Sequence, residues 1–343
     1  MIGLRGIHSF VSDPNLDDNH SKKYLEHILV TQTMSAWYWK KTNGPIHLYT
    51  TERDANFFRE LKMLDIYDHV DTEVLRDHDD ISWAEFGPAV KMKVVSSQKD
   101  FPFATIDNDL IFRSDLSGKN LDSDIIILHK EIFSNRKYPP PHFLGKREDY
   151  IFPEFIEKKS DPFNVGFVIW NNPKLIQDYW SLAYDYMNAN KEDSLKPDWA
   201  SDDLPRFWKS LFVEQRLLSA LAEHKKYTVR TLIPAKFSND LETWVDDIGD
   251  PFDFSKIPND EMVDFYHIWR EKSLYYLTDP PNCTGSQIIT LYDLIKSMGK
   301  IKDPLMNEVL NRIISFTVQK TKSLGLDDLY SLGLSKNYLI ETN

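Results

Sequence analysis

The chain has 343 residues, 41% hydrophobic and 27% charged, enough for one large α/β domain or two smaller ones around a substantial core. Its 53 acidic residues outweigh 41 basic ones for a net charge of −12, and no basic block offsets this, which argues against a nucleic-acid or anionic-membrane partner. The single cysteine, Cys283, excludes an internal disulfide and a cysteine-built zinc site, and fits a reducing compartment.

No apolar stretch approaches the length of a membrane span, and Met1-Ile2-Gly3 onward lacks a charged-then-apolar leader, so no transmembrane segment and a cytoplasmic location are expected. Gly3 to Val11 reads as an opening strand that ends at Ser12-Asp13-Pro14-Asn15. A long amphipathic helix follows, with Tyr24, Leu25, Ile28, Leu29, Met34, Trp37 and Tyr38 near helical spacing, and Asn43-Gly44-Pro45 stops it. Ile46 to Tyr49 is a strand, Glu52 to Leu64 a helix, Val70 to Leu75 a third strand, and Pro88 to Gln98 a helix carrying Lys91 and Lys93.

The next strand is the most informative segment. Ala104-Thr105-Ile106 is buried-strand sequence that runs straight into Asp107-Asn108-Asp109 and then Leu110-Ile111-Phe112. Burying carboxylates costs several kcal/mol each unless cations or donors compensate. Asp107 and Asp109 are two apart and share one side of an extended chain, with Asn108 between them. Such an oxygen set suits a hard divalent ion that also holds phosphate oxygens. The alternation of strands and helices leading to it predicts an α/β layout with a mainly parallel sheet, whose ligands gather at the carboxyl ends of strands.

Downstream, Tyr138-Pro139-Pro140-Pro141-His142 is a stiff, polyproline-like piece, expected as a surface loop bordering a site. Phe163 to Trp170 is a second buried strand, Lys174 to Met187 a helix, and 188–206 a polar loop with Asp198, Asp202 and Asp203. Phe207 to His224 is a strong helix containing Glu214 and Gln215, Tyr227 to Leu232 a strand, and Met262 to Trp269 another, with His267 near its end. Phe133, Tyr138, Phe143 and Trp199 are aromatic candidates for an acceptor wall, although packing is the commoner use of such rings.

The order of these features resembles a GT-A glycosyltransferase, most closely the retaining galactosyl- and glucosyltransferases of the glycogenin and lipopolysaccharide type. Lys91 stands on the helix before the metal strand, where that family keeps a basic residue for the donor. Asp107-Asn108-Asp109 matches the Asp-x-Asp motif, and Phe163-Asn164-Val165-Gly166 matches the Phe-Asn-x-Gly strand. Glu214-Gln215 resembles the family's Asp-Gln pair under the donor sugar. His267 to Lys272 resembles His-x-x-Gly-x-x-Lys, with the glycine absent and the lysine one residue early, so that Arg270 is an alternative to Lys272.

The resemblance implies a Rossmann-like GT-A domain over 1–275, and the small amphipathic helices read from Gln287 onward predict a helical C-terminal extension over 276–343. It implies a transferase that moves a hexose from a nucleotide-sugar, UDP-linked by analogy, to a glycan, lipid-linked or protein acceptor, as in polysaccharide biosynthesis. Asp107, Asp109 and His267 would hold Mn2+ or Mg2+. His8, Ser9, Lys91, Asn108, Gly166 and Lys272 would join the two aspartates in binding the donor, and Glu214, Gln215 and Asn164 would be catalytic.

A haloacid-dehalogenase-like phosphatase shares the strand-then-Asp-x-Asp pattern, with Asp107 as nucleophile and Asp246, Asp247 and Asp250 as later carboxylates. Leu110-Ile111 after the motif, and the three strand–helix units before it, weigh against that alternative. A sugar-binding protein on a transferase scaffold, without activity, is the non-enzymatic alternative.

Overall fold

The computed structural model describes residues 3–12, 19–76, 86–113, 115–135, 137–145, 150–190, 204–232, 236–237, 265–267 and 298–323. In chain order the elements are β1 (Arg5–Phe10), α1 (Asn19–Thr42), β2 (Ile46–Thr50), α2 (Glu52–Glu60), β3 (His69–Asp71), α3 (Ala89–Ser97), β4 (Phe103–Ile106), β5 (Leu110–Phe112), β6 (Ile125–Ile127) and β7 (Lys130–Glu131). There follow β8 (Phe167–Trp170), α4 (Pro173–Ala189), α5 (Leu204–Leu211), α6 (Leu217–Lys225), β9 (Val229–Thr231), β10 (Lys236–Phe237), β11 (Phe265–His267) and α7 (Pro304–Ser323).

Seven strands form one sheet in the order β3-β2-β1-β4-β8-β6-β9. The pairs β1–β2, β1–β4, β2–β3 and β6–β9 are parallel, whereas β8 runs antiparallel to both β4 and β6. The expected α/β architecture, a mainly parallel sheet flanked by helices, is what the chain adopts, with β8 reversed inside it.

Both faces of the sheet are covered, which is why its strands read as continuous apolar runs rather than alternating ones. Leu48, Ala104, Ile106, Ile126, Phe167 and Ile169 enter one core with α1 and α7. Ile7, Phe103, Ile125, Ile127, Val168 and Trp170 enter the other with α3, α4 and α6. Gly6 allows α1 to close on β1, because a Cβ there would stand 2.5 Å from Trp39 Nε1.

Helix boundaries follow local chemistry. Thr51 caps α2 by accepting from the Asp54 amide, and Asn172 caps α4 by accepting from Lys174 and Leu175, with Pro173 at the first helical position. The helix expected to reach Leu64 ends at Glu60, since Lys62 turns left-handed at φ 61° and a 3₁₀ turn over Met63–Ile66 follows. The third strand is shorter than expected, His69–Asp71, because the Asp71 carboxylate accepts from the amides of Glu73 and Val74 and turns the chain away. Lys226, left-handed at φ 60°, ends α6.

Within the C-terminal stretch, α7 packs on α1 and α2. Asp303 accepts from Trp37 Nε1 at 3.2 Å and pairs with Lys41 at 3.4 Å, and Arg312 donates to the Glu60 carbonyl at 3.0 Å. No helix among the described residues is long and apolar enough to cross a membrane.

Between β1 and α1 lies a buried polar chain. Gln32 Nε2 donates to the Tyr67 hydroxyl at 2.9 Å, Tyr67 lies 3.0 Å from His8 Nδ1, His8 Nε2 lies 3.1 Å from Ser35 Oγ, and Ser35 donates to the Leu110 carbonyl at 2.6 Å. Since Ser35 gives its one proton to Leu110, His8 Nε2 must carry the proton of the His8–Ser35 bond, and a neutral His8 then accepts from the Tyr67 hydroxyl through Nδ1. Burial drives the His8 pKa from 6.5 to about 3, and Asp109 opposes the fall.

The unfolded chain therefore takes up a proton on His8 below pH 6.5 that the folded chain refuses until about pH 3. Stability should fall on acidification across that window, by roughly 1.4 kcal/mol per pH unit from this group. Urea unfolding at pH 7 and pH 5 should show this loss, and His8→Gln should flatten it; an unchanged pH dependence in the variant would exclude His8 as its source.

Candidate active site

Because β8 runs against β4, the start of β8 lies beside the end of β4. The Asp107 amide donates to the Gly166 carbonyl at 2.8 Å, and the Leu110 amide donates back to the Asp107 carbonyl at 3.0 Å, forming a tight turn over Asp107-Asn108-Asp109. Asp107 is partly exposed and Asp109 is buried. Asn108 donates through Nδ2 to the Ser9 carbonyl at 3.1 Å, which ties the turn to the end of β1. Its Oδ1 is buried with no hydrogen-bond partner among the described residues.

A single ammonium gathers the site. Lys91 Nζ, from α3, lies 2.5 Å from Asp107 Oδ1, contacts Glu214 Oε1 and donates to the Val165 carbonyl at 3.2 Å. The three side chains are 17–29% exposed, so they are shielded from water yet reachable from it. Burial works against the charge on Lys91, but the two carboxylates outweigh it and raise its pKa. Burial raises the Glu214 pKa, Lys91 opposes this, and Asp107 and Asp109 push it further up. Lys91 is thus shared between two carboxylates, Asp107 and Glu214.

Glu214 and Gln215 lie in a π-helical turn, Phe212–Arg216, inserted between α5 and α6. Adjacent residues of a regular helix diverge by about 100°. Here the wider turn sends Glu214 to Lys91 while the Gln215 side chain meets Tyr138 and its carbonyl accepts from the Phe163 amide. Arg216, buried, donates to the carbonyls of Pro139 at 2.8 Å and Ile156 at 2.8 Å, anchoring the turn to the proline-rich segment.

A second polar cluster adjoins this one. Glu131, 2% exposed on β7, contacts the Lys137 ammonium, accepts from the Tyr138 hydroxyl at 2.6 Å and accepts from Asn164 Nδ2 at 3.2 Å. Asn164 Oδ1 accepts from the Gly166 amide at 3.1 Å.

Lys91, Asp107, Asn108, Asp109 and Gly166 therefore converge at one end of the sheet, with Glu214 and Gln215 on the neighbouring π turn. Ser9 contributes a backbone carbonyl to the turn. Asn164 has both ends of its amide engaged inside the protein and acts as a bracket between β7 and β8. The expectation for His8 as a donor ligand is corrected: it is fully buried, with both ring nitrogens held by Tyr67 and Ser35, because α1 covers that face of β1.

His267 stands opposite Leu110 in the antiparallel β11–β5 pair, one residue from Asp109 in register. Lys272, Arg270, Cys283, Trp199, the loop aspartates Asp198, Asp202 and Asp203, and the distal aspartates Asp246, Asp247 and Asp250 lie outside the described residues. Tyr138, expected as an acceptor wall, is buried at 2% and is polar in its role, while Phe133 stacks on it at 5.9 Å.

The sequence reading missed Glu131 and Lys137. The signal was present: Ile125-Ile126-Ile127-Leu128 runs into His129-Lys130-Glu131, the same apolar run closed by a carboxylate that marks Asp107.

The chemistry of the Asp107-Asn108-Asp109 turn is of the kind a hard divalent ion takes. Asp107, Asp109 and the Asn108 amide bring hard oxygen donors to one turn, although no cluster of three or more His, Cys, Asp or Glu side chains able to hold an ion is present among the described residues.

Comparison with known proteins gives a family profile, described as a family of unknown function (DUF6734), that matches residues 4–274. No curated protein matches the chain. Similar solved structures include the glycosyltransferase GlyE of Streptococcus pneumoniae TIGR4, at 13% identity and a TM-score of 0.40, covering 93% of this chain and 64% of that one. The galactosyltransferase LgtC with donor and acceptor sugar analogs is 10% identical at a TM-score of 0.38, covering 88% of this chain and 97% of that one. Mouse xyloside xylosyltransferase 1 in its apo form is 11% identical at 0.35, covering 78% and 96%. The chain thus spans 64% of the length of the streptococcal protein.

Proposed function

The chain belongs to the DUF6734 family, a family of unknown function, and we propose that it is a metal-dependent glycosyltransferase that moves a hexose from a nucleotide-sugar, a UDP-sugar in the simplest case, to a glycan or other hydroxyl acceptor. The observation that carries this reading is the Lys91 ammonium joining Asp107, at the carboxyl end of β4, to Glu214 on the π turn. Cation-binding carboxylates, a phosphate-compatible ammonium and a shielded carboxyl group then share one site.

Breaking a glycosyl–phosphate bond places negative charge on the departing nucleoside diphosphate and positive charge on the sugar. Lys91 offsets the first, released in part from its carboxylates when phosphate oxygens take their place. Glu214 contacts the same ammonium, and its carboxylate is the group that would steady a cationic sugar. Asp107 and Asp109, with His267, would hold the divalent ion, which when bound supplies Lewis-acid stabilisation of the leaving diphosphate. Asn108 holds that turn on the end of β1. Retention of configuration is part of the proposal, and so is the division into a catalytic region over 1–275 and a helical extension over 276–343.

The test is nucleoside-diphosphate release from a panel of UDP-, GDP- and dTDP-sugars, first with manganese and then with EDTA. Release from one donor that EDTA abolishes is the expected result. Absence of both release and calorimetric donor binding across the panel would overturn the reading.

A further inference from the structure

Tyr138 stands between two oxygen acceptors. Its hydroxyl is 2.6 Å from Glu131 Oε2 and 2.5 Å from the end of the Gln215 amide that carries Oε1. A phenol has one proton and can give it to only one of them. Glu131 carries the Lys137 ammonium and so acts as an acceptor only. Burial raises the Tyr138 pKa and the Glu131 carboxylate raises it further, which keeps the proton on the phenol. That proton belongs to Glu131, the charged and stronger acceptor.

The Gln215 atom against Tyr138 must then be a donor, Nε2. Turning the amide by about 180° exchanges its nitrogen and oxygen at the same two positions and moves no backbone. Oε1 is then the end that meets no hydrogen-bonding group among the described residues, on a π turn shared with Glu214.

We propose that Tyr138, clamped by Glu131 and Lys137, is a positioning residue that turns the Gln215 amide so that its carbonyl oxygen, rather than its NH2, is offered to the ligand. The inference deepens the transferase reading and rests on it for the ligand: an acceptor oxygen suits a sugar hydroxyl or a positively charged sugar carbon, whereas an NH2 group would oppose the latter. The rigidity of Tyr138, stacked on Phe133 and held through Glu131 to Asn164, is what makes the choice of amide orientation permanent.

Neutron diffraction from deuterated crystals of the full chain decides the orientation without reference to activity. Deuterons on the Gln215 atom facing Tyr138, with the phenol deuteron on the Glu131 side, are expected; a phenol deuteron aimed at a Gln215 oxygen would overturn the proposal. For the enzyme, Tyr138→Phe should lower kcat for donor turnover by about tenfold to a hundredfold and leave the donor KM within about twofold. In a Gln215→Ala background the same substitution should cost nothing further, because Tyr138 acts only through that amide. Additive losses would mean that Tyr138 acts elsewhere, and would refute it as the positioning residue of Gln215. A chain that turns over no donor removes the transferase reading, and the deuteron positions alone then decide whether Tyr138 orients the amide.

Discussion

Asp109→Asn should reduce metal-dependent donor turnover by at least about 10²- to 10³-fold, the scale on which preorganised charge stabilisation is lost when one group is removed. Asp109 is the better of the two aspartates for this experiment. Asp107 is ion-paired with Lys91, so its replacement would also free an ammonium and confuse the outcome. Asp109 is buried, and its charge pushes the Glu214 pKa up, so neutralising it relieves repulsion at Glu214. The asparagine keeps the shape of the side chain and some hydrogen bonding while losing the charge a cation would need. Retained unfolding midpoint with lost manganese dependence is the expected pair of results. Full turnover with unaltered manganese dependence would remove Asp109 from the metal site.

How much of this site the sequence disclosed follows from how local each signal is. Asp107 and Asp109 were legible because an apolar run closed by carboxylates is a local contradiction that demands compensation. Lys91 was legible only through order along the chain; nothing in Ala89–Ser97 itself says that one lysine turns inward while Lys93 belongs to the same helix. The reversal of β8 was not legible, since antiparallel insertion is decided by pairing with β4 and β6 rather than by the sequence Phe167–Trp170. Yet that reversal brings Gly166 to Asp107 and so builds the site.

The π turn at Phe212–Arg216 was equally hidden. The apolar pattern of Phe207 to His224 is satisfied by a continuous helix, and one extra residue in a turn leaves no trace in it. His8 failed for a different reason: a polar residue near a strand end has the same sequence whether it faces a ligand or a buried chain of hydrogen bonds. Only α1, placing Ser35 and Gln32 above it, decides that question.

Lys91→Met separates the structural from the chemical role of the central ammonium. Without it, the carboxylates of Asp107 and Glu214, 29% and 18% exposed, lose the charge that holds them together. Removing one partner of a fully buried pair costs about 3–5 kcal/mol, and the remaining exposure here brings the expected loss down to about 2–3 kcal/mol. Glu214, already held above its ordinary pKa, would relieve part of the strain by taking up a proton, so the loss should be smaller at low pH and grow as pH rises. The double variant Lys91→Met, Glu214→Gln should recover most of the stability, because an amide beside Asp107 can donate where a second carboxylate repels. It should not recover turnover, since the charge that offsets the departing diphosphate is still missing and costs about 10²-fold or more. Urea unfolding and donor-turnover assays on the two variants test both roles together. Recovery of turnover along with stability would mean that Lys91 serves the fold alone, and that the diphosphate is stabilised by some other group.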